Sequence, residues 1–144
     1  LLPGAVTGMR RLRDAGFRLV VITNQAGVGM GYFTIEDFFR VNSRMLSLLH
    51  DQGVLLDAVY FCPHSLAVGC SCRKPKPGML NRAASDLNVD FSNSWMIGDK
   101  VIDLTLRVTV FAEFDSARRN VKGGHVVAVL RHERLIKHAD GGVA

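Results

Sequence analysis

Two hydrophobic patterns alternate along the chain: apolar residues at helical spacing, and short unbroken apolar runs. Val6, Met9 and Leu12 sit three apart with Arg10, Arg11 and Arg13 between them. This predicts an amphipathic helix ending near Ala15, with Gly16 as its C-terminal cap. Residues 17–22 follow, with Leu19, Val20, Val21 and Ile22 continuous, as in a parallel strand covered on both faces. Thr34, with Asp37 three residues on, is placed to cap a second helix. Within it Ile35, Phe38, Phe39, Met45, Leu46 and Leu49 are read as one core-facing side, and Gly53 closes the region. Residues 58–61 form a second short strand. Pro77 suits the first turn of a further helix, on which Leu80, Ala83, Ala84 and Leu87 share a face. Residues 94–97 and 125–130 read as two more strands, whereas 104–121 settles into no single period. Strands alternating with helices predict an α/β fold with a mainly parallel sheet. Neither repeats nor linkers divide the chain, so residues 1–144 are read as one domain.

Composition narrows the class. The chain has 144 residues, of which 48% are hydrophobic and 22% charged, which suits a folded domain with a real core and not a disordered segment. No apolar run approaches the length that spans a membrane, and no export signal is visible, so no membrane partner and a cytoplasmic location are expected. The net charge of +5 is scattered, with small clusters at 10–13, 73–76 and 118–122. No stripe of interleaved aromatic and basic residues points to nucleic acid, and a small anionic partner explains the middle cluster equally well. A monomer is the expected state.

The densest chemistry lies in residues 61–78. Cys62, His64, Cys70 and Cys72 fall within eleven residues as a Cys-x-His and a Cys-x-Cys pair, and they include all three cysteines of the chain. Four such ligands at that spacing suit one tetrahedral zinc ion better than a disulfide framework. Pro63 and Gly69 fit a loop folded around a metal. Arg73, Lys74 and Lys76 follow, stiffened by Pro75 and Pro77, and can form a pre-organised anion site.

Two polar clusters end predicted strands. Thr23-Asn24-Gln25 closes the first, at the position where open α/β sheets bind ligands, although a plain polar turn fits too. Gly27, Gly29 and Gly31 then read as a mobile loop without the dinucleotide-binding spacing. Gly98-Asp99-Lys100 closes the third strand, with Asp103 four beyond Asp99. Carboxylates there are candidate magnesium ligands or, equally, helix caps.

Thr23-Asn24-Gln25, Cys62-Pro63-His64, residues 70–79 and Gly98-Asp99-Lys100 occur in order and together resemble the zinc-loop phosphatases of the haloacid dehalogenase (HAD) superfamily. The likeness covers roughly residues 1–104. It is strongest to the D-glycero-D-manno-heptose 1,7-bisphosphate 7-phosphatase group, with the histidinol-phosphate phosphatases as near relatives. The resemblance implies a three-layer Rossmann-like fold and a magnesium-dependent phosphomonoesterase acting on a phosphorylated sugar or similar small molecule through an aspartyl-phosphate. Thr23 and Lys74 would stabilise the phosphoryl group. Asn24, Gln25, Ala26, Arg73 and Lys100 would bind substrate beside them. Asp99 would bind magnesium, and Cys62, His64, Cys70 and Cys72 would hold a structural zinc.

The chain departs from that pattern in two places. The superfamily's Asp-x-Asp-Gly motif, which supplies the nucleophile and the acid/base, is absent, and Asp14 follows a helical stretch and cannot replace it. The motif's strand belongs in the sheet centre, between the strands ending at Thr23 and Ile97. The expectation is therefore a chain truncated at its N-terminus, lacking its central strand, and inactive and poorly stable alone. Each unpaired buried backbone group would cost about 1–3 kcal/mol, against about 5–15 kcal/mol for a whole domain. A non-catalytic zinc-stabilised binding module is the alternative of another class. The second departure is residues 104–121, which lack the expected small residues and put Asp103 as a helper of the magnesium site in doubt.

Overall fold

The computed structural model describes residues 1–98, 101–103, 105 and 126–132. Helix α1 (Ala5–Asp14) leads into strand β1 (Arg18–Asn24). The turn between them passes through Gly16 at φ 82°, a left-handed conformation that a Cβ would strain. A short helix α2 (Ala26–Gly29) follows, then α3 (Ile35–His50). Its start is a capping box: the Thr34 hydroxyl accepts from the Asp37 N–H at 3.1 Å, and the Asp37 carboxylate accepts from the Thr34 N–H at 2.9 Å. Strand β2 (Ala58–Cys62), a 3-10 turn (Leu66–Val68), helix α4 (Gly78–Leu87), strand β3 (Val89–Ile97) and strand β4 (Val126–His132) complete the described order.

The alternation of side chains along β1 builds three layers. Leu19 packs with Met9 of α1, Leu49 of α3 and Val54. Val20 and Ile22 point the other way, into a cluster with Cys62, Met79, Leu80, Ala83 and Val89. Helices α1 and α3 therefore cover one face of the sheet and α4 the other. Leu19, Ile22, Leu49 and Leu80 are almost completely buried, and each such side chain contributes roughly 1.5–3 kcal/mol.

The sheet order is β2-β1-β4-β3. Strand β1 pairs with β2 in parallel, from Val20 opposite Ala58 to Asn24 opposite Cys62. That register finishes both strands at one level, so the polar end of β1 lies beside the first cysteine of the metal loop. Strand β4 is antiparallel to both β1 and β3. Strands β1, β2 and β3 thus share one direction, as a mainly parallel sheet requires, and β4 alone opposes it.

Several expectations are corrected. The position between β1 and β3, expected to be missing its strand, is filled by β4 through pairs such as Val20–Ala128 and Met96–Ala128. The argument for a poorly stable sheet therefore fails, because β1 has partners on both sides. The glycines expected to form a mobile loop lie in and beside α2, where close approach explains two of them. A Cβ on Gly27 would meet the Phe33 ring at 2.2 Å, and one on Gly29 would meet the Ser65 backbone nitrogen at 2.4 Å. Phe39, expected in the core, is half exposed, with its ring against Phe38 and Phe61. Asp99, Lys100 and nearly all of 104–121 lie outside the described residues.

Candidate active site

At the carboxyl end of β1 the buried groups are polar. Thr23 is 6% exposed. The Lys74 ammonium donates to the Ile22 carbonyl at 3.0 Å and to Asp103 Oδ1 at 2.8 Å. Both side chains of that ion pair are buried. Removing two charges from water is costly, and the carbonyl and the close geometry offset part of that cost. Gly98 makes room for the pair, since a Cβ there would lie 2.5 Å from Asp103 Oδ2. Helical residues 101–103 bring Asp103 to the site.

Residues 24–26 support this centre from one side. The Asn24 side chain closes a ring of hydrogen bonds with the Lys74 peptide: Oδ1 accepts from the Lys74 N–H at 3.0 Å, and Nδ2 donates to the Lys74 carbonyl at 3.3 Å. Gln25 turns back so that its Nε2 donates to Thr23 Oγ1 at 2.9 Å. That bond occupies a lone pair of the hydroxyl and leaves its proton to point elsewhere. Ala26 opens α2 and is half-buried. Arg73 places Nη1 in a buried position with no hydrogen-bond partner among the described residues. Leaving such a donor unsatisfied is unfavourable, so the atom is suited to an incoming acceptor oxygen.

The Cys/His cluster lies one strand away. The ligand atoms of Cys62, His64, Cys70 and Cys72 all fall within 4.8 Å of one another. Cys62 and Cys70 Sγ are 3.5 Å apart, as are Cys70 and Cys72 Sγ, and His64 Nδ1 is 3.6 Å from Cys62 Sγ and 3.2 Å from Cys72 Sγ. A tetrahedron with Zn–S of about 2.3 Å and Zn–N of about 2.0–2.1 Å has edges of about 3.6–3.8 Å. The donor set and its spacing therefore fit zinc. Burial, aided by a hydrogen bond with Cys72, pushes the Cys62 thiol up to about 12. For Cys70, burial opposes ionisation, but hydrogen bonds from the Cys72 and Cys62 thiols and nearby N–H groups draw it down to about 6.

The loop around the cluster is tied to the rest of the fold at both ends. The Gln25 N–H donates to the Cys62 carbonyl at 2.8 Å, and the Gly29 N–H to the Pro63 carbonyl at 2.8 Å. Gly78 lies so close to the loop that a Cβ would meet the Ser71 carbonyl oxygen at 2.6 Å. The Lys76 ammonium donates to the carbonyls of Gly69 and Cys70, both at 2.9 Å. This corrects the reading of Lys76 as part of the anion site, because it closes the metal loop instead.

Of the sequence-predicted site residues, Thr23, Asn24, Gln25 and Lys74 converge, with Ala26 and Arg73 adjoining them in sequence, and the four metal ligands converge beside them. Asp99 and Lys100 lie outside the described residues. Asp103, left in doubt by the sequence, stands at the centre; its one signal was its spacing four residues after Asp99. A cleft of about 410 Å³ opens along β2 and α4, lined by Tyr60, Phe61, His64, Cys72, Met79 and Arg82 among others. It contains none of the converging residues at the end of β1, and the buried polar cluster, not the cleft, marks the chemistry. No helix among the described residues is long and apolar enough to cross a membrane.

Comparison with known proteins gives the lineage. A family model described as "HAD-hyrolase-like" matches residues 71–105. A Thermoplasma acidophilum protein named "Probable D-glycero-D-manno-heptose-1,7-bisphosphate 7-phosphatase" is 46% identical over 92 residues, 64% of this chain and 58% of its own length. The protein of the same name from Thermoplasma volcanium is 38% identical over 100 residues, 69% of this chain and 68% of its own length. Among solved structures, the D,D-heptose 1.7-bisphosphate phosphatase from B. bronchiseptica, complexed with magnesium and phosphate, superposes with a TM-score of 0.69 at 33% identity. The match covers 76% of this chain and 61% of that one. The chain spans 58% of the length of the first curated relatives it matches.

Proposed function

Because the chain belongs to the heptose-bisphosphate phosphatase family of HAD-like hydrolases, we propose that the protein it represents hydrolyses a phosphomonoester of a sugar, D-glycero-D-manno-heptose 1,7-bisphosphate, at the 7-phosphate. The observation that carries this reading is the meeting of the buried Lys74 ammonium with the Ile22 carbonyl and Asp103, one residue from Thr23. Such a point, at the carboxyl end of a parallel strand, is where a phosphoryl group can be received by fixed charges with little reorganisation. Lys74 neutralises the transferring oxygens, and the Thr23 hydroxyl donates to one of them. Arg73 offers Nη1 to the substrate. Lys100 and Ala26 complete the binding surface by resemblance.

Magnesium, with Asp99 as its ligand, would neutralise the charge that builds on the phosphoryl group; the similar solved structure was obtained with magnesium and phosphate. Cys62, His64, Cys70 and Cys72 would hold zinc. Four protein ligands leave it no open position, so it shapes the loop and does not act on substrate. A reducing cytoplasm suits this reading, because the thiolates must stay reduced. The attacking aspartate is not among these 144 residues, and the activity is proposed for a protein that supplies it.

One observation favours a second reading, a non-catalytic zinc-stabilised module: β4 occupies the place between β1 and β3 from which the attacking carboxylate would come. The experiment joins this chain to an N-terminal strand bearing Asp-x-Asp and measures phosphate release with magnesium. Heptose bisphosphate and histidinol phosphate are tested side by side. Preferential hydrolysis of the heptose supports the proposal, and preference for histidinol phosphate assigns the chain to the neighbouring group. Hydrolysis of neither leaves the binding module as the better account.

A further inference from the structure

The two polar atoms of the Asn24 side chain are both engaged on the Lys74 peptide, fifty residues away, through its N–H at 3.0 Å and its carbonyl at 3.3 Å. A carboxamide paired in this way is fixed in its flip and its orientation is set by the main chain it holds. Asn24 ends β1, half-buried next to its buried run and opposite Cys62 in the register. Lys74 lies two residues beyond Cys72, whose Sγ is 3.5 Å from Cys70 and 3.2 Å from His64. The short segment 72–74 is therefore held at one end by the metal cluster and at the other by Asn24. The Lys74 ammonium reaches Ile22 and Asp103 only while that backbone stays in place.

We propose that Asn24 is a positioning residue that anchors Lys74 to β1, not a contact for the substrate, and that this anchor couples the metal cluster to the phosphate site. The inference rests on the phosphatase reading for the role of Lys74. It differs from that reading in what it asks of Asn24. Coupling through this backbone is reciprocal: whatever loosens the Lys74 main chain loosens Cys72, and the reverse.

The test uses the chain together with an N-terminal strand that supplies Asp-x-Asp, loaded with zinc, with two readouts: steady-state phosphate release, and the rate of zinc loss to excess EDTA. For Asn24→Ala, kcat is expected to fall about tenfold or more while KM moves less than about threefold, and zinc loss to accelerate several-fold. Asn24→Asp keeps the shape and the acceptor for the Lys74 N–H but loses the donor. It is read by zinc loss alone, because its charge also acts on phosphate, and an intermediate rate is expected. Thr34→Ala, which uncaps α3 by removing bonds made, among the described residues, only to Asp37, is the control for general loosening and is expected to leave zinc loss unchanged. A raised KM with unchanged kcat and zinc loss would assign Asn24 to the substrate and overturn the proposal. Equal acceleration in Thr34→Ala overturns it as well. A wild-type protein that releases no phosphate defeats the phosphatase reading instead, and zinc loss then still decides whether the anchor exists.

Discussion

The two clusters of this molecule are neighbours with opposite origins. The metal cluster draws its four ligands from eleven consecutive residues. The proposed phosphate site draws Thr23 from the end of β1, Lys74 from the segment after the Cys/His loop, and Asp103 from the helical residues after β3. The first needs only a short loop to close, and the entropy of closing a loop grows slowly with its length. The second exists only when three distant segments are brought to one end of a sheet in register. The link between them runs through the Lys74 main chain and not through its ammonium. The metal loop ends two residues before Lys74 and is tied to the turn after β1 and to α2 by Gln25 and Gly29, so a disturbed loop carries the lysine with it. The buried ion pair lies beyond the loop, and its loss leaves four ligands where they were.

The largest effect follows from removing the metal. Structural zinc contributes on the order of 10–16 kcal/mol in small zinc-dependent folds. Cys62→Ser, or prolonged chelation, is expected to abolish phosphate release and to lower the unfolding midpoint sharply, read by circular dichroism and by metal analysis. Full activity in the metal-free protein would break the comparison. Next in size is Lys74→Met. Taking the cation from buried Asp103 is expected to destabilise the fold by about 3–5 kcal/mol and to lower kcat about 10²–10³-fold, while native mass spectrometry still finds one zinc per chain. Loss of zinc in this variant would show that the link runs through the ammonium as well.

Leu80→Ala probes the packing that sets the register under both sites. Leu80 is fully buried between α4 and β1, and the cavity left behind is expected to cost about 2–5 kcal/mol in denaturant unfolding. The folded fraction should keep its zinc and lose activity only in proportion to the unfolded fraction. The smallest effect belongs to the helix cap at Thr34, whose side chain, among the described residues, bonds only to Asp37. Thr34→Ala is expected to lower the melting temperature by about 2–4 °C. Hydrogen bonds from the Thr34 N–H and hydroxyl hold the Asp37 carboxyl below its ordinary value. A carboxyl depressed in the folded state stabilises above its ordinary pKa and loses that contribution as pH falls through the folded value. The gap between Thr34→Ala and the parent should therefore narrow on acidification below about pH 4. A gap independent of pH would assign the loss to the hydroxyl alone.

What could be read in the sequence was what depends on neighbours along the chain. The helix of Val6, Met9 and Leu12, the cap at Thr34, the strand through Leu19 to Ile22 and the Cys-x-His and Cys-x-Cys pairs each rest on spacings of a few residues, and each appears in the fold. Phe39 was misplaced because periodicity assigns a face of a helix but not how far the core reaches along it. Gly27 and Gly29 were misread because a glycine that permits motion and one that admits a neighbouring backbone look alike in one dimension. Lys76 was grouped with Lys74 by proximity, although the two ammonium groups face different carbonyls.

The sequence by itself determined the α/β alternation, the Cys/His cluster and the polar ends of the strands, because those are local patterns of side-chain chemistry. Only the tertiary structure decided that β4 lies between β1 and β3, that Asn24 pairs with the Lys74 peptide, and that Asp103 meets the Lys74 ammonium. The physical reason is distance along the chain: hydrogen bonds and ion pairs between remote segments follow from strand register and burial, which no short stretch of residues specifies.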